Sequence, residues 1–242
     1  MSTSSTADTF ASSPRANPKY QLRPAQLSDL TSIARAWHRA FFDDEIIGEI
    51  MHPHRKEYPE DVYWFLLRGI RERFWDWRHR FWVVVTKDEH GAETIAGAAD
   101  WRRLGEGGAA MELLTLDPRN LIAPTISAFH SVSLRLFPNR AADASRASFL
   151  DDAVAASEQY WTGDRSECWD LYVCGVDPDY QGKGVGKLLA QWGVKEAQAE
   201  GTGVCASVLC GEKNRGFYNK AGLTVQVGGR EGHGGGIALF TR

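Results

Sequence analysis

The hydrophobic and polar positions of this 242-residue chain change period along its length, and the changes predict its elements in order. Tyr20-Gln21-Leu22-Arg23-Pro24-Ala25 reads as a first strand. Ile33, Trp37, Ala40 and Phe41 recur at helical spacing behind Ser28-Asp29-Leu30, so a helix is expected through Phe42 with Ser28 as its N-cap. Asp43 to His54 reads as loop or broken helix. Pro59-Glu60-Asp61 opens a second helix, running to about Asp76, with proline and acids in its first turn. Phe81 to Thr86 and Thr94 to Arg102 are strands around a turn at Asp88-Glu89-His90-Gly91. The aromatic and β-branched run Trp169 to Val176 is another strand, ended by Asp177-Pro178-Asp179 because proline cannot donate to a ladder. Val185, Leu188, Leu189 and Trp192 mark a helix to about Glu200, stopped at Gly201. Val204 to Cys210 is a strand. Leu223 to Val227 and Ile237 to Thr241 form a closing hairpin. Its joining loop holds Gly228, Gly229, Gly232, Gly234, Gly235, Gly236 and His233, and is either a disordered tip or a flap able to close over an acceptor.

Residues 104–168 fit no strand pattern. Gly105-Glu106-Gly107-Gly108 reads as a flexible joint. A mixed apolar stretch follows to Phe137, then Pro138-Asn139-Arg140. From Ser148-Phe149-Leu150 to Trp161 the pattern is helical, with Phe149, Ala153, Ala156 and Tyr160 on one face. So long a connection without structure is improbable, which predicts two or three helices inserted between the third and fourth strands. This insertion could be a lid, a substrate wall or a homodimer contact. Residues 1–18, rich in Ser, Thr and Ala, lack an apolar h-region and are expected to form a disordered tail. Residues 19–242 are then one domain, without internal repeats.

The chemistry concentrates in residues 181–222. Gln181-Gly182-Lys183-Gly184-Val185-Gly186-Lys187 lies on a turn between strand and helix. Glycines there let a ligand approach the backbone. The first helix amides lack internal partners and carry the positive end of the dipole, which suits a diphosphate. A Walker A loop would need glycine where Gln181 stands and Ser or Thr where Leu188 stands. A dinucleotide fingerprint would need a different glycine spacing and an acid on a following strand, whereas Glu196 and Glu200 lie on the helix. Both nucleotide readings are weak.

Gln181, Gly184 and Gly186 match the Q/R-x-x-G-x-G/A pattern of the GNAT N-acetyltransferases. Asn214 and Phe217-Tyr218-Asn219-Lys220-Ala221-Gly222-Leu223 resemble that family's following asparagine and its short helix, with Gly216 where alanine is commoner. The resemblance is specific from Trp169 to Leu223. It implies a mixed, mostly antiparallel twisted α/β (α+β) sheet flanked by helices, with acetyl-CoA as donor co-substrate. It further implies that the loop amides hold the pyrophosphate, and that the fourth strand splays from its neighbour so that Cys174, Gly175 and Val176 meet the pantetheine arm. By the same resemblance Asn214, Phe217 and Tyr218 border the cofactor, and Tyr218 is the acid that protonates the leaving thiolate.

The reaction itself sets further demands. An acceptor amine of pKa ~10.4 costs about 4.6 kcal/mol to deprotonate at pH 7, so a base or water chain is required. Asp170 lies eleven residues before Gln181, on the same strand parity as Cys174 and Val176, and histone-type members of the family place a glutamate at about that offset. It is either a base acting through water or an aspartate bonded to a nearby turn. Asp100 and Glu112 are rivals. The Val176 amide suits the oxyanion. Tyr218 has its own plainer reading, a packed aromatic whose hydroxyl meets a backbone carbonyl. A ping-pong route through Cys174 lacks an evident histidine base.

Composition alters this picture little. The net charge of −3 does not suggest nucleic-acid binding, and no apolar run approaches a membrane span. Lys183, Lys187, Lys213, Arg215 and Lys220 are local charges for an anionic cofactor, or ordinary solvated surface. The four cysteines fall on or beside strands without a zinc pattern, which fits a reducing compartment, expected to be the cytoplasm, with the nucleus as the alternative. The aromatics of residues 63–82 read as core rather than as a cation cage. Phe41-Phe42-Asp43-Asp44-Glu45 is the leading acceptor site. His52 and His54 have metal-ligand spacing but no third ligand. The expected activity is acetyl transfer to a small-molecule or protein amine by direct attack in a ternary complex. The alternative is a non-catalytic acyl-CoA-binding regulatory module.

Overall fold

The computed structural model describes residues 19–87, 90–112, 117–146, 149–229 and 235–242. Among these residues seven strands form one sheet: β1 (Gln21–Pro24), β2 (His79–Lys87), β3 (Glu93–Leu104), β4 (Cys168–Val176), β5 (Cys205–Cys210), β6 (Val225–Gly229) and β7 (Ile237–Phe240). Their spatial order is β1-β2-β3-β4-β5-β7-β6. Every neighbouring pair is antiparallel except β4 and β5. This is the mixed, mostly antiparallel α/β sheet expected. The expected tail at 1–18, the turn residues Asp88-Glu89 and the hairpin tip at 230–234, with Gly232, His233 and Gly234, lie outside the described residues.

Helices cover both faces. On one side α1 (Leu30–Phe41) and α2 (Pro59–Phe74) bury Ile33, Trp37, Leu67 and Ile70 against Phe81, Val83 and Ala98 of the sheet. On the other, α6 (Val185–Glu200) and α7 (Arg215–Ala221) bury Leu189, Val194, Tyr218 and Ala221 against Trp101, Leu171 and Val208. Most aromatics of 63–82 pack in or against the core as expected, but Trp64 is exposed. The start of α1 differs from expectation. The Gln26 amide donates to Asp29 Oδ2 at 2.7 Å, and Arg23 clamps the same carboxylate at 2.7 and 3.1 Å. Asp29 therefore organises this end rather than Ser28.

Among the described residues, the insertion between β3 and β4 holds three α-helices: α3 (Glu106–Glu112), α4 (Arg119–Leu136) and α5 (Phe149–Ser157). The Gly105-Glu106-Gly107-Gly108 stretch, read as a joint, mostly belongs to α3. Its opening amides at Glu106 and Gly107 donate to the Glu167 carboxylate, which Arg103 holds at 2.7 Å. Glu167 lies some sixty positions away in the chain, so this long-range cap offsets the weak helix propensity of three nearby glycines.

Two features of β4 shape the site. Its pairing with β5 stops at Leu171 and Val208, although both strands continue. The sheet thus opens into a V between residues 172–176 and 209–210. The second feature is a bulge. Asp100 pairs with Val173 and Trp101 with Leu171, leaving Tyr172 as the extra residue. An extra residue reverses the alternation beyond it. Trp169 and Leu171 therefore share the α6 face with Cys174 and Val176. Asp170 points to the opposite face, so the shared parity expected of Asp170 with Cys174 and Val176 does not hold.

Candidate active site

The V between β4 and β5 is a cavity of about 510 Å³. Cys174, Asn214, Tyr218 and Asp170 all line it. The opening of the V lets both faces of β4 contribute, so Asp170 reaches the cleft despite the reversed parity. Phe41 and Asp44 form its rim from the α1 side, and Val154, Glu158 and Trp161 enter from the insertion. The insertion is therefore a wall of this cleft.

Tyr218 is held on α7, whose left-handed C-cap at Gly222 (φ +110°) ends the helix and turns the chain toward β6. The side chain is 8% exposed. Burial, then the Cys174 and Cys210 thiols, push its phenol well above the ordinary value. No hydrogen bond between its hydroxyl and a backbone carbonyl occurs among the described residues. Phe217, 39% exposed, stacks edge-on at 4.8 Å from it.

The loop is anchored from several sides. Arg39 of α1 binds Asp177 and Asp179, each at 2.9 Å. The Gln181 side chain donates through Nε2 to the Val176 carbonyl at 3.1 Å, and Lys183 Nζ donates to the Asp179 carbonyl at 2.6 Å. Gly182 and Gly184 have φ of +71° and +87°. Gly184 is the N-cap of α6, and the first helical bond runs from the Leu188 amide to its carbonyl at 3.2 Å. The amides of Val185, Gly186 and Lys187 precede that bond and have no intrahelical partner. Gly186 lies under Phe217 and Val176: a Cβ there would stand 3.1 and 3.4 Å from them. Loop, splayed strand and α7 thus meet at one point, although the loop residues do not line the cavity itself.

The remaining expected residues separate. Gly175 faces α1, where a Cβ would stand 2.5 Å from the Trp37 ring, so glycine is needed there for packing. Lys213 lies 3.8 Å from Asp44, and Arg215 pairs with Glu212 at 2.8 Å. Lys187 and Lys220 are exposed. Asp44 also caps the short π-helical turn Glu45–Ile50 by accepting from the Ile46 and Ile47 amides. Asp43 turns to Arg55 at 3.4 Å. His52 is committed to the Ile47 carbonyl at 2.6 Å and to Asn139 at 3.0 Å. Among the described residues no group of three or more His, Cys, Asp or Glu is placed to hold a metal.

Asp170 is buried with two partners: Ser207 donates to Oδ1 at 2.9 Å and Arg102 to Oδ2 at 3.2 Å. Burial raises its pKa above the ordinary value, and Arg102 and Ser207 only partly oppose this. Ser207 in turn accepts from Trp161 Nε1 at 2.8 Å. Asp100 has the opposite balance. Its burial would raise it, but His79 and Arg73, each at 2.7 Å, leave it lowered. It is a structural ion pair outside the cleft lining, and the Glu112 side chain is outside the described residues. Sequence reasoning missed Ser207, Arg102, Tyr172 and Trp161. Only Ser207, a lone hydroxyl in the otherwise apolar Cys205–Cys210 strand, left a signal.

Residues 128–223 match the family model described as the acetyltransferase (GNAT) family. No curated protein matches the chain. Among solved structures, a Corynebacterium glutamicum protein described as histone acetyltransferase HPA2 and related acetyltransferase is 18% identical, with a TM-score of 0.56 over 92% of this chain and 96% of that one. A Pyrococcus horikoshii protein is 14% identical, with a TM-score of 0.50 over 93% and 98%. An agmatine N-acetyltransferase is 11% identical, with a TM-score of 0.50 over 92% and 98%. At these identities the structures establish a shared fold, and the matched segment spans the splayed strand, the glycine loop and α7. Motif and fold agree: residues 128–223 match the acetyltransferase (GNAT) family model, and the chain shares the fold of these solved structures.

Proposed function

We propose that the protein transfers acetyl from acetyl-CoA to a primary amine by direct attack within a ternary complex. The observation that carries this reading is the opening of β4 from β5, with Tyr218 and Asp170 lining the same cavity. Acetyl-CoA would lay its pyrophosphate on the amides of Val185, Gly186 and Lys187 and its pantetheine arm along Cys174 to Val176. The thioester would then lie near Tyr218. The amine enters from the side of Phe41, Asp44 and Glu158. Asp170 takes its proton through water, its raised pKa bringing it closer to the working pH. The Val176 amide faces the developing oxyanion. Tyr218 donates to the departing sulfur. Its own raised pKa makes full transfer harder but keeps the donor protonated throughout the physiological range.

Burial pushes the Cys174 thiol up to about 12. A thiol so rarely ionised is a poor nucleophile, which favours direct attack over an acyl-cysteine. The acceptor reading rests on charge: Asp44, Glu158 and Asp170 line the cleft, against Arg102 as a cation committed to Asp170. A cationic amine suits that lining, and one neighbour in fold acts on agmatine.

Calorimetric titration tests the donor. Saturable binding of acetyl-CoA with no response to ATP or NAD is expected, followed by thiol release in an amine screen. Absence of acetyl-CoA binding by folded protein would overturn the proposal, and binding without turnover on any amine would leave the regulatory module. A second expectation concerns Ser207. Its hydrogen bond lowers the pKa of Asp170, so Ser207→Ala should raise that pKa further. Because the base must be deprotonated, the acidic limb of kcat/KM should move to higher pH, while Ser207→Thr should largely restore it. An unmoved limb would remove Asp170 as the base.

A further inference from the structure

A second cavity, of about 780 Å³, lies between α2 and α4 and shares no lining residue with the cleft. Its walls combine two chemistries. Trp64, Phe129 and Phe137 present aromatic surface and are 45%, 64% and 69% exposed. Arg68 and Arg71 present guanidinium groups, and neither makes an ion pair among the described residues. The other charges in reach are already used. Arg140 grips both oxygens of Asp61, at 2.9 and 3.0 Å, and His130 meets Glu72 at 2.9 Å. Arg68 is half-buried, and its burial disfavours the charged form while Asp61 and Glu72 compensate only in part. A guanidinium drawn from water without a dedicated counterion is costly until an anion arrives. Its planar fork matches a carboxylate, sulfonate or phosphate through two bonds, and flat rings stack on aromatic walls.

We propose that this cavity binds a small aromatic anion, its charged head on Arg68 and Arg71 and its ring against Trp64, Phe129 and Phe137. The site is independent of the acetyl-transfer cleft. The second helix of the pair, α4, belongs to the insertion, so the ligand would bridge the insertion to the body of the fold.

The test is calorimetric titration of the full chain with naphthalene-2-sulfonate, with neutral 2-naphthalenemethanol and inorganic sulfate as comparisons, each with and without CoA. One saturable site is expected for the aryl sulfonate, indifferent to CoA, with each comparison compound at least tenfold weaker. Arg68→Gln and Arg71→Gln should each weaken binding about tenfold with an unchanged circular dichroism spectrum. Should either variant fail to fold, Phe129→Ala, which alters an exposed ring, should weaken it several-fold. Equal binding of the neutral alcohol, unaltered binding by the folded variants, or displacement by CoA would overturn the proposal. So would sedimentation showing a dimer that Phe129→Asp separates, because a second copy would then cover this face.

Discussion

Tyr218→Phe should lower kcat by about 10²-fold or more while leaving acetyl-CoA affinity within about twofold. The substitution removes one oxygen from a buried ring and keeps its shape, so α7 should retain its packing against α6. No hydrogen bond of that hydroxyl to the protein is recorded among the described residues, so the melting temperature should barely change. The loss should therefore fall on the step in which the thiolate leaves. Steady-state kinetics with thiol release, set beside calorimetric Kd values, separates the two quantities. Equal losses in kcat and affinity would assign Tyr218 to binding and end its role as acid. Because burial raises the phenol's pKa, Tyr218 stays protonated past its ordinary value of about 10. An alkaline limb below that value would have to come from another group.

Gly184→Val should weaken acetyl-CoA binding by about tenfold or more in a protein that still folds. At φ +87° a β-branched residue is strained, by about 1–2 kcal/mol. A Cβ at Gly184 would meet nothing within 4 Å, so crowding by the protein adds nothing to that strain. The affinity loss would come instead from a loop pulled off its left-handed turn and from a side chain in the space the diphosphate needs. Gly203→Val is the matched control. It too has open space around it but no left-handed backbone, and binding there should be unchanged. Native affinity in folded Gly184→Val protein would remove the 181–187 loop from the site.

How legible the molecule was in its sequence depended on how local each determinant is. The glycine loop was legible because its demands are met within a few residues: a proline ending the strand, left-handed glycines and an apolar period restarting at Val185. The limits of α2, α6 and β5 were legible within a few residues for the same reason. Alternation misled at Asp170, because nothing around Tyr172 announces a bulge, and one extra residue moves every later side chain of β4 to the other face. The glycines before α3 misled in the opposite sense, since the carboxylate that caps the helix is supplied by Glu167.

The sequence by itself determined the order of strands and helices and the glycine loop between β4 and α6, both properties of short segments with their own period and turn chemistry. Tertiary structure decided what those segments face. The register of β4 against β3 and β5 opened the sheet and turned Asp170 away from Cys174. Ser207 and Trp161, far apart in the chain, became successive links to the Asp170 carboxylate. Pairing register and long-range hydrogen bonds depend on the whole packed core rather than on neighbours in sequence, so no local pattern encodes them.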